Sequence, residues 1–192
     1  LIKLDRYDVK VWNVRWGNCP MNALNEKDPN DKMIIDRILQ TPSLKKQPEI
    51  HMHVVIPNEF QPSAKYNIGI TAGLEKTACP PEWIQGMNKM DMNIVPSHFV
   101  KDVMNSVSFN VNNKETNQPA GQIKVEKPLE VLFEGVDTNI FKKTDKFSKD
   151  FVDEMKSVKE SFNFLYVVNW LQGGLGNDRK DTGMLVNVFL EP

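Results

Sequence analysis

The sequence predicts an α/β fold: a mostly parallel sheet with helices on both faces. Three observations carry this reading. Short β-branched runs alternate along the chain with stretches of helical apolar spacing. Helix-opening residues stand between the predicted strands, namely Pro80–Pro81 a loop after one and Ser97 just after another. Near the end, an apolar run at 164–168 is followed by Gly173, Gly174 and Gly176, then Arg179 and Lys180, then a second helical pattern.

The elements follow in order. VKVWNV at 9–14 is rich in β-formers and reads as a strand. Residues 15–29 are polar and loop-like. Asn30 or Asp31 is placed to cap a helix reaching Gln40, whose stripe is Met33, Ile34, Ile35, Ile38 and Leu39. IHMHVVI at 50–56 is a strand ended by Pro57, and YNIGIT at 66–71 is the next. Trp83, Ile84, Met87 and Met90 keep helical spacing behind Pro80–Pro81. Met92 to Val95 forms a short strand. Ser97 then caps a helix with a stripe of Phe99, Val100, Val103, Met104 and Val107.

Residues 108–128 break this rhythm. VSFNVN and QIKVE alternate as two strands around a polar turn, which predicts a β-hairpin insert. Residues 129–133 form a further strand ending in Glu134-Gly135-Val136-Asp137. Phe147, Phe151, Val152, Met155 and Val158 mark an amphipathic helix. The run at 164–168 reads as a buried strand. The expected organisation is a first domain over 1–140, a linker and helix over 141–160, and an incomplete second domain over 161–192. The opening on Leu1 and the stop one helix into that second domain suggest a piece of a longer protein.

Composition narrows the function classes. The 192 residues are 40% hydrophobic and 26% charged, as ordinary globular domains are. Net charge is −1, from 24 basic and 25 acidic residues, so no global field suits nucleic acid. No apolar run approaches the roughly 20 residues that span a bilayer, and no signal peptide is visible. A cytoplasmic location is expected. Cys19 and Cys79 fit neither a CxxC pair nor a zinc cluster and read as reduced thiols. His51 and His53 fall on one face of a strand, where two ligands alone do not hold zinc. No resident metal or cofactor is expected.

Parallel sheets bind ligands at the carboxyl ends of their strands. The candidate residues lie there. Thr71 and Glu75 follow the YNIGIT strand, and a carboxylate in that place acts as a base or binds sugar hydroxyls. Ser97 and His98 sit at a strand-to-helix junction. Ser97 is a cap first, and His98 is either a base or an outward-facing residue of the first helical turn. Gly135, Val136 and Asp137 end another strand. The loop with Gly173 and Gly174, followed by Arg179 and Lys180, has the parts of a phosphate site: backbone N–H groups, a helix N-terminus and a cation. Arg179 stands where a dinucleotide fingerprint needs its third glycine, and no glycine precedes Lys180 as a P-loop requires. The loop therefore suggests a phosphate without naming the cofactor.

Several stretches together resemble GT-B glycosyltransferases of the group 1 (family 4-like) type. KYNIGITAGLEKTACPPEWIQGMNKMDMNIVPSHFVKDV is similar to their N-terminal domain. LEVLFEGVDTNIF resembles the segment leading to their interdomain linker, and FNFLYVVNWLQGGLGNDRKDTGMLV the first βα unit of their nucleotide-sugar domain. The wording is closest to versions found in phages and marine microbes.

The resemblance implies a Rossmann-like pair of domains that moves a sugar from a nucleotide-diphosphate-sugar donor to a saccharide or other acceptor, usually without metal. It implies donor contacts from Lys180, Gly173 and Gly174, with Asn169 and Arg179 beside them. It also implies cleft-lining roles for Gly135 to Asp137 and an acceptor-side role for Glu75. Many members carry glycine and arginine where Val168 and Asn169 stand here. The family's opening glycine-rich strand and distal glutamate motif fall before Leu1 and after Pro192, so the piece alone is expected to be inactive. A non-catalytic α/β scaffold or sugar-recognition module, and a sugar epimerase of the same fold, are the competing readings.

Overall fold

A computed structural model describes residues 1–15, 21–73, 76–112, 116, 118–168 and 180–191. The chain divides into two compact units, Leu1–Gly135 and Val136–Pro192. The first is an α/β unit built on a four-stranded parallel sheet in the order β1-β2-β3-β6. Its strands are β1 (Ile50–Val54), β2 (Tyr66–Ile70), β3 (Met92–Val95) and β6 (Leu129–Val131). Register runs His53–Gly69–Asn93–Leu129 across all four.

Helix α2 (Pro81–Asn88) joins β2 to β3, and α3 (His98–Ser106) lies between β3 and β6. Pro80 and Pro81 start α2, where a missing N–H costs nothing. Ser97 starts α3, its Oγ accepting the Val100 N–H at 3.2 Å. Successive strands are laid in one direction. Right-handed crossovers therefore place both helices on the same face.

The burial pattern agrees. On one face Asn67, Gly69, Asn93 and Val95 are buried. This face joins Val55, Phe60, Ile84, Met87, Met90, Val100, Met104 and Leu129 in the core. Each large apolar side chain fully withdrawn here contributes about 1.5–3 kcal/mol. The opposite face carries Ile50, Met52, Val54 and Tyr66, between 39% and 61% exposed, with Ile68, Ile70, Met92 and Ile94 half-buried. The sequence leads one to expect helices on both faces; within this unit α2 and α3 share one.

The insert is a hairpin, as its alternation predicts: β4 (Phe109–Asn112) pairs antiparallel with β5 (Pro119–Ile123). Phe109, Ile123 and Val125 pack against the core. Asn88 ties the hairpin to α2, donating to the Lys124 carbonyl at 2.8 Å and accepting from the Glu126 N–H at 2.9 Å.

Before β1 the outcome differs from expectation. Residues 9–14 form no strand; Val11 makes a single parallel bridge to Ile38. Its N–H donates to the Arg37 carbonyl, and its own carbonyl accepts the Leu39 N–H. Helix α1 spans Pro29–Ile35, ending well short of Gln40. Its cap is Asp28, which accepts from both Asn30 and Asp31 N–H groups. Pro29 at the first helical position fixes that start.

In the second unit, α4 (Lys149–Lys156) and α5 (Thr182–Leu190) are helical as expected. The predicted strand at 164–168 is not formed. Those residues carry no regular structure, and Phe164, Leu165 and Val167 are largely exposed. Among the described residues no strand of this unit offers them a ladder. Local aromatic packing takes their side chains instead, with Phe164 edge-on to Phe162 (4.9 Å) and to Phe189 (5.6 Å).

Candidate functional site

Three strand ends meet at the carboxyl edge of the sheet. The Thr71 N–H donates to the Ile94 carbonyl at 3.1 Å, and the Leu132 N–H to the Val95 carbonyl at 2.9 Å. These bonds carry the ladder one residue past each strand. Thr71 is thereby buried beside β3, and its Oγ1 accepts the Gly73 N–H at 3.4 Å. Gly73 has φ +81° and presses on α3: a Cβ here would collide with Val100. Both facts require glycine.

His98 is exposed on the first turn of α3 and meets Phe133 edge-on, with ring centroids 5.7 Å apart. Phe133 lies just past the end of β6. Lys101 of α3 also reaches Glu130 of β6 at 3.4 Å. The imidazole thus stands beside the β6 end, with one edge on Phe133 and the rest open to solvent. The capped N-terminus of α3, the Thr71 backbone and His98 share this edge. Such an edge offers polar groups and a proton acceptor to a hydroxylated ligand.

Gly135 is exposed, and a Cβ there would meet nothing within 4 Å. Val136 and Asp137 belong to the second unit. The Asp137 carboxylate accepts the Asn139 N–H at 2.8 Å, and its carbonyl accepts from Ile140 and Phe141. Asp137 thus closes a local turn of the kind its side chain favours.

Lys180 precedes α5. Its carbonyl accepts the Tyr166 hydroxyl at 2.6 Å. Asp181 follows in a left-handed conformation (φ 50°) and supplies no side-chain cap. Glu75, Asn169, Gly173, Gly174 and Arg179 lie outside the described residues. So do Trp16, Cys19 and Trp170. Cys79 is buried, and burial pushes its thiol up from the usual range. Among the described residues, no three His, Cys, Asp or Glu side chains converge as a metal centre requires. Nor is any described helix long and apolar enough to cross a membrane.

Two contributors escaped sequence reading. Phe133 looks like a core residue of a strand, yet it sits past the ladder as the wall for His98. Gly73 carries a visible signal, since a glycine two residues past a strand commonly marks a positive φ. Comparison with protein-family models, with curated proteins and with solved structures returns no match.

Proposed function

We propose that this chain belongs to a glycosyltransferase of GT-B type, which moves a sugar from a nucleotide-diphosphate-sugar to an acceptor hydroxyl. The observation that carries this reading is the convergence of Thr71, the α3 N-terminus and His98 on the carboxyl edge of a parallel sheet. Open α/β sheets place ligands at that edge. The arrangement is consistent with a Rossmann-like first domain. The resemblance of residues 66–191 to the group 1 transferases adds the chemistry, as a fold-level and motif-level analogy.

In this reading His98 and Glu75 serve the acceptor side. Either one takes the proton of the attacking hydroxyl while the other orients the sugar. Thr71, Ser97 and Gly135 to Asp137 line the acceptor's path. On the donor side Lys180 and Arg179 neutralise the diphosphate, and Asn169, Gly173 and Gly174 supply loop contacts. A charge-assisted hydrogen bond from Lys180 contributes about 1.5–3 kcal/mol, roughly a ten- to hundred-fold change in affinity.

The test is calorimetric titration of the full-length protein with bare nucleoside diphosphates, followed by a nucleotide-sugar panel scored for diphosphate release. Lys180→Ala should weaken binding about ten- to hundred-fold, and Arg179→Ala less, because neighbouring side chains diverge. No binding of any nucleoside diphosphate, together with no release, overturns the proposal. Asn169, standing where the resembled family carries arginine, favours a second reading: a non-catalytic sugar-recognition module. Saccharide binding without diphosphate binding would select it.

A further inference from the structure

The face of the sheet that α2 and α3 cover also carries a cluster of groups that the proposed transfer chemistry does not use. His51 and His53 stand two residues apart on β1, the edge strand, with ring centroids 5.1 Å apart. The chain leaving β1 folds back over them. It runs through a 3-10 turn (Pro57–Glu59), then Phe60, then a loop to Ala64. This strap is fastened to the sheet by side-chain acceptors. His53 Nδ1 accepts the Gln61 N–H at 3.3 Å. Asn67 Oδ1 accepts the Ser63 and Ala64 N–H groups at 2.8 and 2.9 Å.

Beneath the strap, Phe60 is fully buried, with its ring over Gly69 and 6.1 Å from that of His53. Two polar atoms of this face are buried without hydrogen-bond partners among the described residues: His51 Nδ1 and Asn93 Oδ1. Asn93 Oδ1 points at the same spot as the Phe60 ring, since a Cβ on Gly69 would lie 2.8 Å from that oxygen and 2.5 Å from Phe60 Cε2.

We propose that His51 and His53 form an acid-sensitive clasp that holds the 57–64 strap on the sheet when neutral and releases it when protonated. A neutral imidazole accepts at one nitrogen; an imidazolium donates at both. Protonated His53 therefore points an N–H at the Gln61 N–H, and the bond becomes a repulsion. Its neighbour amplifies this, because a charge on one ring opposes a charge on the other.

The surroundings set the direction. Burial first, then His53, holds His51 below its ordinary value. Burial holds His53 down as well, opposed by Glu59 on the strap, which favours its charged form. β2 presents only uncharged Asn67 and Gly69 to the pair, with the Asp91 carboxylate bonded to Asn67. The open strap exposes both imidazoles and so binds protons more readily than the closed one. Closure is then complete above the ordinary histidine value near 6.5. It weakens as pH falls below that value, until the depressed closed-state values are reached. Opening also admits water to Asn93 Oδ1, which lies beside the Phe60 ring without a partner when the strap is shut.

The experiment is amide hydrogen exchange with imidazole nitrogen shifts, from pH 7.5 to 4.5. At neutral pH, His53 Nδ1 should show the shift of an unprotonated acceptor nitrogen. Below pH 6.5, exchange at Phe60 and Gln61, corrected for intrinsic rates, should quicken by about ten-fold per pH unit for each histidine protonated on opening, while Ile94 in β3 stays protected. His53→Gln, whose amide oxygen can accept without titrating, should keep the strap protected across that range. A protonated Nδ1 at pH 7.5, or strap exchange that follows Ile94 at every pH, overturns the proposal. Both readouts use the unaltered protein, so they stand even if the variant does not fold.

Discussion

Gly86 of α2 sits directly against the carbonyl of Pro57, so close that any Cβ at position 86 would overlap the Pro57 oxygen. A glycine inside a helix normally costs about 1 kcal/mol against alanine. Here the cost admits the strap. Pro57 and Gly86 are both buried, and the turn and α2 pack on each other through this spot. Gly86→Ala should therefore destabilise, by about 1–3 kcal/mol or more, against the sign that helix propensity alone predicts. A urea midpoint that is unchanged or raised would show that the backbones can part.

Ser97→Ala should cost about 0.5–2 kcal/mol through the lost cap, with Ser97→Asp recovering most of it. Thermal unfolding of the three proteins measures this. The same loss in Ser97→Asp would mean that the hydroxyl acts elsewhere than on the Val100 N–H.

Asn93 is fully buried in β3, and its Nδ2 donates to the Met87 carbonyl at 3.0 Å, tying the end of α2 to the sheet. Asn93→Ala should destabilise by about 1–3 kcal/mol, since a buried carbonyl loses its donor. Asn93→Asp should be worse, because it places a carboxylate in the core beside that carbonyl. Chemical denaturation of both variants gives the order. An aspartate tolerated as well as alanine contradicts the burial.

Asp91 accepts the Asn67 N–H at 2.7 Å and its Nδ2 at 3.2 Å, and these bonds hold its carboxyl below the usual range. The folded state thus favours the carboxylate. Its contribution is present above the unfolded value near 3.8 and is lost as pH falls through the lower folded value. Asp91→Asn should flatten the stability profile below pH 4 and change it little near neutrality. Acid titration followed by circular dichroism checks this. A profile parallel to the parent's would place the acid response elsewhere.

The two faces of the sheet should answer mutation differently. Ile84→Ala, in the core, should cost about 2–5 kcal/mol. Val54→Thr, on the opposite face at 61% exposure, should stay within about 0.5 kcal/mol. Paired denaturation curves compare them. A large loss at Val54 would reveal a cover on that face.

What the sequence made legible follows one rule: signals local to a few residues survived, and strand composition survived where a neighbouring strand supplied a ladder, as for β1, β2, β3 and β6. The Pro80–Pro81 start, the Ser97 cap and the alternation of the hairpin each lie within a single turn or strand pair, and each is realised. Residues 9–14 and 164–168 have equally good β composition. A strand also needs a ladder, and composition carries no information about who supplies it. Val11 finds only Ile38, and the 164–168 run finds aromatic contacts. Helix α1 starts two residues early because Asp28 reaches two N–H groups at once, an advantage over Asn30 that composition alone does not rank. At the candidate site, Thr71, Ser97 and His98 were legible from their place after strands. Phe133 was not, because its hydrophobicity disguised a residue outside the ladder.

The strand order β1-β2-β3-β6 follows chain order, and among the described residues the interposed pair β4–β5 forms a separate two-stranded sheet. During synthesis each new strand therefore emerges beside an edge that already exists. No strand must wait for a later one, and the ladder of the interposed hairpin is made within itself. Assembly can proceed in the direction of translation, with loop-closure costs kept small at every step. The edge most recently completed is always the one the ribosome feeds next.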